Sequence, residues 1–199
     1  MLPGMTTESL RERGKARRRA AITRAAFELF AERGFGATTI ADVAAAAEVS
    51  PRTVTLYFRS KQDIAFATFD ASLLSLTEAL RSRAPEESAV EALTQWLRGR
   101  MACDDELDAL GHLMFEANPE LRAVRTSRMA DAMREGAQAI AADLGESPEG
   151  FGPRLATAAA AAVVTELFES PPDTDPEEAL AKAMAFLSGG MAAIAGRES

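Results

Sequence analysis

The residues of this 199-residue chain with most chemistry to offer lie in one short run, Ser50-Pro51-Arg52-Thr53-Val54-Thr55-Leu56-Tyr57-Phe58. Serine followed by proline is a helix start: the hydroxyl satisfies orphan amides, and proline at the first position sacrifices no intrahelical bond. The first turn of that helix exposes Arg52, Thr53 and Thr55, while Val54 and Phe58, four apart, face inward. An arginine fork matches guanine O6 and N7, and a threonine hydroxyl matches a base edge or a phosphate, so the chemistry on offer is hydrogen bonding to a duplex. Lys61 adds a positive charge beyond the helix, and Thr39 places a hydroxyl beside helix-start amides, where a phosphate oxygen would fit. Tyr57 is the only tyrosine. Its ring suits a core position with the hydroxyl exposed.

Other chemistries have thinner support. Asp108, His112 and Glu116 fall at i, i+4 and i+8 on one helix face. A metal accepts such ligands, but the same pattern is also an ordinary solvated ion-pair face, and no metal is expected. Cys103, the only cysteine, excludes an internal disulfide and a multi-cysteine zinc site, and reads as a small apolar side chain. One histidine and one cysteine, nine residues apart, give no nucleophile–base pair, and glycine-rich phosphate loops are absent. The expectation is a non-enzymatic protein without a cofactor.

Almost every segment that positions these residues reads as helix. Ala, Leu, Glu and Arg dominate, and Pro or Gly falls at the boundaries. After a loose arm over 1–14, a helix is expected near 17–33, then a short one capped by Thr38 or Thr39 and carrying Ile40, Val43 and Ala44, then helices near 50–58, 60–83, 86–101, 104–117, 119–144, 150–169 and 175–195. That is an all-α chain of about nine helices, the first ended by Gly34. Two short helices joined by a tight turn within a basic segment suggest a helix-turn-helix, although helical hairpins without that role are common. The net charge of −8 conceals a division: residues 1–61 hold 11 Lys+Arg against 6 Asp+Glu, net +5, and residues 62–199 hold 11 against 24, net −13. A basic head could meet phosphates while an acidic body is repelled from them. Apolar content of 47% excludes a disordered chain, and no apolar run approaches a membrane span or a signal peptide core. A soluble cytoplasmic protein is expected.

The segment AFELFAERGF at 26–35, TTIADVA at 38–44 and VSPRTVTLYFRSK at 49–61 resembles the N-terminal domain of the TetR family of bacterial transcriptional regulators. The resemblance rests on Ala26, Leu29, Phe30, Gly34, Phe35, Thr38, Thr39, Val49, Ser50, Thr53, Tyr57, Phe58, Ser60 and Lys61, and covers about the first 65 residues. It implies a helix-turn-helix domain over 1–61 and a ligand-binding and dimerisation domain over 62–199. It also implies that Arg52, Thr53 and Thr55 read an operator while Thr39, Ser50, Tyr57 and Lys61 hold its backbone. Two positions depart from the family pattern: Thr55 stands where an aromatic is usual, and Glu48 where the turn usually has glycine. A positive φ at Glu48 would carry strain and set an anion near DNA.

In the body, Leu180, Met184, Leu187, Met191 and Ile194 repeat at intervals of 4, 3, 4 and 3, a narrow helix-packing seam. With the Ala-rich helix before it, this seam is expected to form a homodimer interface, the alternative being packing within one subunit. Polar groups in an apolar stripe, Asp70 among Phe66, Phe69 and Leu73, together with Trp96, Met101, Leu110, Met114, Met129 and Met133, form the expected effector site; the same stripes also suit a core. The resulting expectation is a homodimeric regulator released from a near-palindromic double-stranded operator by a small molecule. The competing reading is a dimeric DNA-binding or interaction module with a solid core and no effector.

Overall fold

The structure, a computed structural model, describes residues 10–103, 106–169 and 175–196. Among them eleven α-helices and no strands occur: α1 (Leu10–Arg33), α2 (Ile40–Ala46), α3 (Pro51–Tyr57), α4 (Lys61–Ala65), α5 (Ala67–Ser82), α6 (Ala89–Met101), α7 (Glu106–Ala117), α8 (Glu120–Arg128), α9 (Ala130–Leu144), α10 (Phe151–Glu169) and α11 (Pro176–Ile194). The fold is all-α, as the composition implies. Side-chain caps start many helices: Thr39, Ser50, Ser60, Ser88 and Asp175 each accept a bond from the amide three residues on.

Eleven helices replace the expected nine because two long ones are interrupted. The helix expected over 60–83 breaks at Phe66, whose ring is fully buried against Phe69 and Phe115, with centroids 5.9 and 5.2 Å away. Its backbone leaves helical values (φ −101, ψ 9), and the ladder resumes when the Asp70 amide donates to the Phe66 carbonyl at 2.8 Å. The helix expected over 119–144 is interrupted at Met129, whose backbone stays in the right-handed helical region (φ −76, ψ −9). The arm also differs: residues 10–14 belong to α1, since Leu, Arg and Glu favour helix, while 1–9 lie outside the described residues, as do 104–105 and 170–174.

The chain divides into two compact units. The first comprises 1–70 with 105–125, so that α7 belongs with the basic N-terminal helices. Its core joins Ile22, Phe27 and Phe30 of α1, Val43 of α2, Val54 and Phe58 around α3, and Ile64 and Phe66 to Met114 and Leu121. Gly111 lets α7 cross α1 closely: a Cβ there would lie 3.1 Å from the Phe27 ring. The second unit comprises 71–104 with 126–199. Leu80, Ala92, Ile140 and Ala156 form one of its cores, and Leu93, Leu97, Leu180, Met184 and Leu187 another. Arg83 ties this unit together, donating to Asp143 at 2.9 Å and to the Ala139 carbonyl at 3.1 Å, while Asp143 also accepts from the Ala89 amide at 2.6 Å.

Candidate nucleic-acid interface

The interface is built from α2 and α3 and from the two turns that hold them. Gly34 closes α1 in the left-handed region (φ 88), where glycine carries no Cβ penalty. Its carbonyl accepts from the buried Thr38 hydroxyl at 2.9 Å. Lys61 then fastens the turn: its ammonium donates to the carbonyls of Phe35, Gly36 (3.4 Å) and Thr38 (2.7 Å) and lies 4.4 Å from the centre of the Phe35 ring. An ammonium has three hydrogens, so these carbonyls engage its full donor set. From the other side Asn118, 1% exposed, donates to the Phe30 carbonyl at 2.9 Å and the Met114 carbonyl at 2.7 Å, and accepts from the Phe35 amide.

Thr39 begins α2 with a capping box. Its hydroxyl accepts from the Asp42 amide at 3.2 Å and donates to Asp42 Oδ2 at 2.6 Å, while its own amide donates to the same carboxylate at 2.8 Å. The Thr39 hydroxyl and amide, with a smaller contribution from the Arg33 charge, hold the Asp42 carboxyl below its ordinary 3.8. At the other end of α2 the chain makes a Schellman turn: Val49 N–H donates to the Ala44 carbonyl at 2.9 Å, and Glu48 N–H to that of Ala45 at 3.2 Å. Glu48 occupies the left-handed position (φ 53), the only described non-glycine residue to do so.

On α3, Ser50 accepts from the Thr53 amide at 3.0 Å, and its hydroxyl shares a 2.8 Å bond with that of Thr53. Val54 and Phe58 are buried, as their spacing requires; Arg52 and Thr55 are exposed, and Thr53 and Tyr57 half-buried. The Thr55 hydroxyl donates back to the Arg52 carbonyl at 3.0 Å. Leu56, which spacing and charge did not single out, is 82% exposed. Arg19 of α1 steadies the far end of α3, donating to the Tyr57 carbonyl at 3.0 Å with its guanidinium 4.2 Å above the Phe58 ring. That carbonyl is a helix C-terminal acceptor, where a cation is favourable. Residues 11–20 are exposed throughout and carry Arg11, Arg13, Lys15, Arg17, Arg18 and Arg19 against Glu12. Arg19 and Asn118 escaped sequence reasoning because their partners are distant in the chain; the basic run around Arg19 and the Asn-Pro step were the only signals.

The expected effector residues are divided between the units. Phe66 and Met114 are fully buried in the first core, with Phe69 and Leu110 packed against it and Asp70 half-buried in the same unit. Phe66 and Met114 are therefore core side chains, held there by the Phe66–Phe115 ring pair and the seating of α7 on α1. Leu73, Trp96, Met101, Met129 and Met133 lie in the second unit, all half-buried; Trp96 donates to the Ser75 hydroxyl at 2.8 Å.

The residues of the expected dimer seam also find partners within the subunit. Leu180, Met184 and Leu187 are buried within the subunit beside Leu93 and Leu97 of α6, and Met191 and Ile194 pack on the core around Leu80 and Ile140. Residues of α6 and α10 give Leu180, Met184 and Leu187 these apolar partners, while Met191 and Ile194 stay half-buried. His112 lies 3.4 Å from Glu116, both exposed, and among the described residues no three His, Cys, Asp or Glu side chains converge to hold a metal. Cys103 is exposed. Among the described residues no helix is long and apolar enough to cross a membrane.

Comparison with known proteins gives a consistent result over both units. The profile of bacterial regulatory proteins of the tetR family matches residues 22–68, and that of the MftR C-terminal domain matches 74–192. The HTH-type transcriptional regulator TcmR of Streptomyces glaucescens is 32% identical over 182 residues, which are 84% of this chain and 80% of that protein. The HTH-type transcriptional repressor Rv3405c of Mycobacterium tuberculosis is 37% identical over 109 residues, 52% of this chain and 57% of that one. The crystal structure of native NalD, the secondary repressor of the MexAB-OprM multidrug efflux pump in Pseudomonas aeruginosa, superposes with a TM-score of 0.66. That alignment has 21% identity and covers 88% of this chain and 96% of that one, a likeness of fold.

Proposed function

This chain belongs to the TetR family of bacterial regulators, non-enzymatic DNA-binding proteins of transcription, and from that premise we propose that it is a cytoplasmic homodimeric repressor. It binds a near-palindromic double-stranded operator and leaves it when a small molecule binds. The observation that carries the reading is α3 itself: capped by Ser50 and Pro51 at one end, clamped by Arg19 at the other, and presenting Arg52 and Thr55 to solvent. In this role Arg52, Thr53 and Thr55 meet base edges in the major groove, with Ser50, Thr39 and Tyr57 against phosphates. Lys61 contributes by holding the turn that aims α2, and the basic start of α1 adds phosphate attraction.

The dimer forms through a face of α10 and α11 other than the predicted seam. Phe151, Leu155, Ala158 and Ala162 recur at intervals of 4, 3 and 4 along α10, and all are exposed. On α11 the exposed positions Phe186, Gly189 and Ala193 repeat similarly, and a Cβ at Gly189 would meet nothing within 4 Å. Exposed apolar positions at helical spacing suit a second copy, and two-fold symmetry suits paired half-sites. The effector contacts Leu73, Trp96, Met101, Met129 and Met133 of the second unit, whose sulfur and aromatic groups adapt to a guest. To act as a switch it binds the DNA-competent and released states unequally; about 1–3 kcal/mol of difference shifts affinity roughly 5- to 150-fold.

Genome-wide capture of DNA bound by the protein tests the reading, with a near-palindromic motif expected. Equal affinity for random duplex at every salt concentration would overturn it, because phosphate contacts alone bind any sequence. The competing reading is a solid body without an effector. Thermal-shift titration with a library of small molecules separates the two: a compound that raises the melting temperature and releases the operator favours the switch.

A further inference from the structure

Resting on the DNA-reading role of α3, we propose that Leu56 is a specificity-determining residue that reads the 5-methyl group of a thymine in each half-site. Counted at 100° per residue, Val54 and Phe58 define the buried side of α3, and Arg52 and Leu56, one turn apart, stand at the middle of the opposite side. Thr55 flanks them on one edge and Thr53 on the other. Both threonine hydroxyls are engaged inside the helix, with the Arg52 carbonyl and the Ser50 hydroxyl. The most outward side chains are thus one donor fork and one apolar tip.

An apolar side chain 82% exposed on a seven-residue helix gains nothing from its own fold. It has one apolar counterpart on the major-groove floor, the thymine methyl, as the Arg52 fork has guanine O6 and N7. Four helical residues advance about 6 Å, under two base-pair steps of about 3.4 Å. The half-site therefore carries a guanine and a thymine within about two base pairs of each other. The charge around Leu56 points to the same occupant. The head is net +5 over residues 1–61, which attracts the duplex and repels a second head.

The test begins with a duplex selected from a randomised pool by the purified full-length protein. Each thymine of that duplex is then replaced, one at a time, by deoxyuridine, which removes only the methyl group. At one thymine per half-site the wild-type protein is expected to lose about three- to tenfold in affinity, and Leu56→Ala to lose less than twofold on the same change. If the pool yields a specific duplex but no thymine methyl is sensed, or Leu56→Ala senses it as the wild type does, the inference fails and the DNA-reading role stands. If the pool yields no specific duplex, the role of α3 fails and the inference with it. A Leu56→Ala protein whose oligomeric state in sedimentation differs from wild type would assign the side chain to protein contact and overturn the inference. Because Leu56 packs so little, the variant is expected to fold, and the deoxyuridine series on wild-type protein needs no variant.

Discussion

Asn118, at the end of α7, donates its carboxamide N–H to the carbonyl of Phe30 in α1 at 2.9 Å, across 88 residues of chain. The same side chain donates to Met114 and accepts from the Phe35 amide, so its polar atoms are satisfied inside the first core. Replacement by leucine keeps the approximate volume but strips partners from a buried amide and two carbonyls. Asn118→Leu is expected to lose about 2–4 kcal/mol of stability, measured by urea unfolding. A loss below about 0.5 kcal/mol would mean that water replaces the carboxamide without penalty.

Glu48 holds the left-handed position of the Schellman turn between α2 and α3. Glycine adopts that backbone without strain, at some cost in unfolded-chain entropy. Glu48→Gly is expected to stabilise the protein by about 0.5–1 kcal/mol. Loss of the anion should also tighten DNA binding most at low salt, where screening is weak. Unchanged or reduced thermal stability would show that the Glu48 side chain makes compensating contacts.

Arg19 combines a bond to the Tyr57 carbonyl with a guanidinium over the Phe58 ring. Lysine keeps the charge but not the planar fork, so Arg19→Lys should weaken operator binding about three- to tenfold by loosening α3. The slope of log affinity against log salt should stay the same, because no phosphate contact is lost. A slope reduced by about one in Arg19→Ala, which removes the charge, would assign Arg19 to a phosphate instead.

The two candidate dimer faces of α11 give opposite predictions. Phe186 is 65% exposed, whereas Met184 is 8% exposed within the subunit core. Phe186→Glu is expected to yield a folded monomer in sedimentation, with unchanged helix content. Met184→Ala should leave the dimer intact and cost about 2–4 kcal/mol of stability. A dimeric Phe186→Glu protein would move the interface elsewhere.

Two capping boxes give a pH dependence of definite sign. Hydrogen bonds from Thr39 lower the Asp42 carboxyl from 3.8, and those from Ser88 lower Glu91 from 4.5. A carboxyl lowered in the folded state stabilises the protein above its unfolded pKa and ceases to do so as pH falls through its folded value. The urea midpoint should therefore drop as pH falls below these ordinary values, and an Asp42→Asn, Glu91→Gln double variant should show a shallower drop. Parallel curves for the two proteins would contradict the assignment.

The helix starts at Ser50 and Ser60, a cap for α2 at Thr38 or Thr39, the end of α1 at Gly34, and the inward pairing of Val54 with Phe58 were all readable from the residues. Capping bonds span three residues and helix faces repeat every three or four, so neighbours in the chain carry that information. The membership of α7 in the first unit, the fastening of the turn by Lys61 and Asn118, and the breaks at Phe66 and Met129 were not. Each rests on a partner or a packing arrangement set by the fold. The last helix shows the division most clearly. Leu180, Met184 and Leu187 form one apolar stripe of α11, and Phe186, Gly189 and Ala193 another. Residue types alone established that the helix forms and that the Leu180, Met184 and Leu187 stripe packs against other helices. Which stripe entered the subunit was decided by Leu93 and Leu97 of α6, because a helix buries the side that finds apolar partners at the right separation.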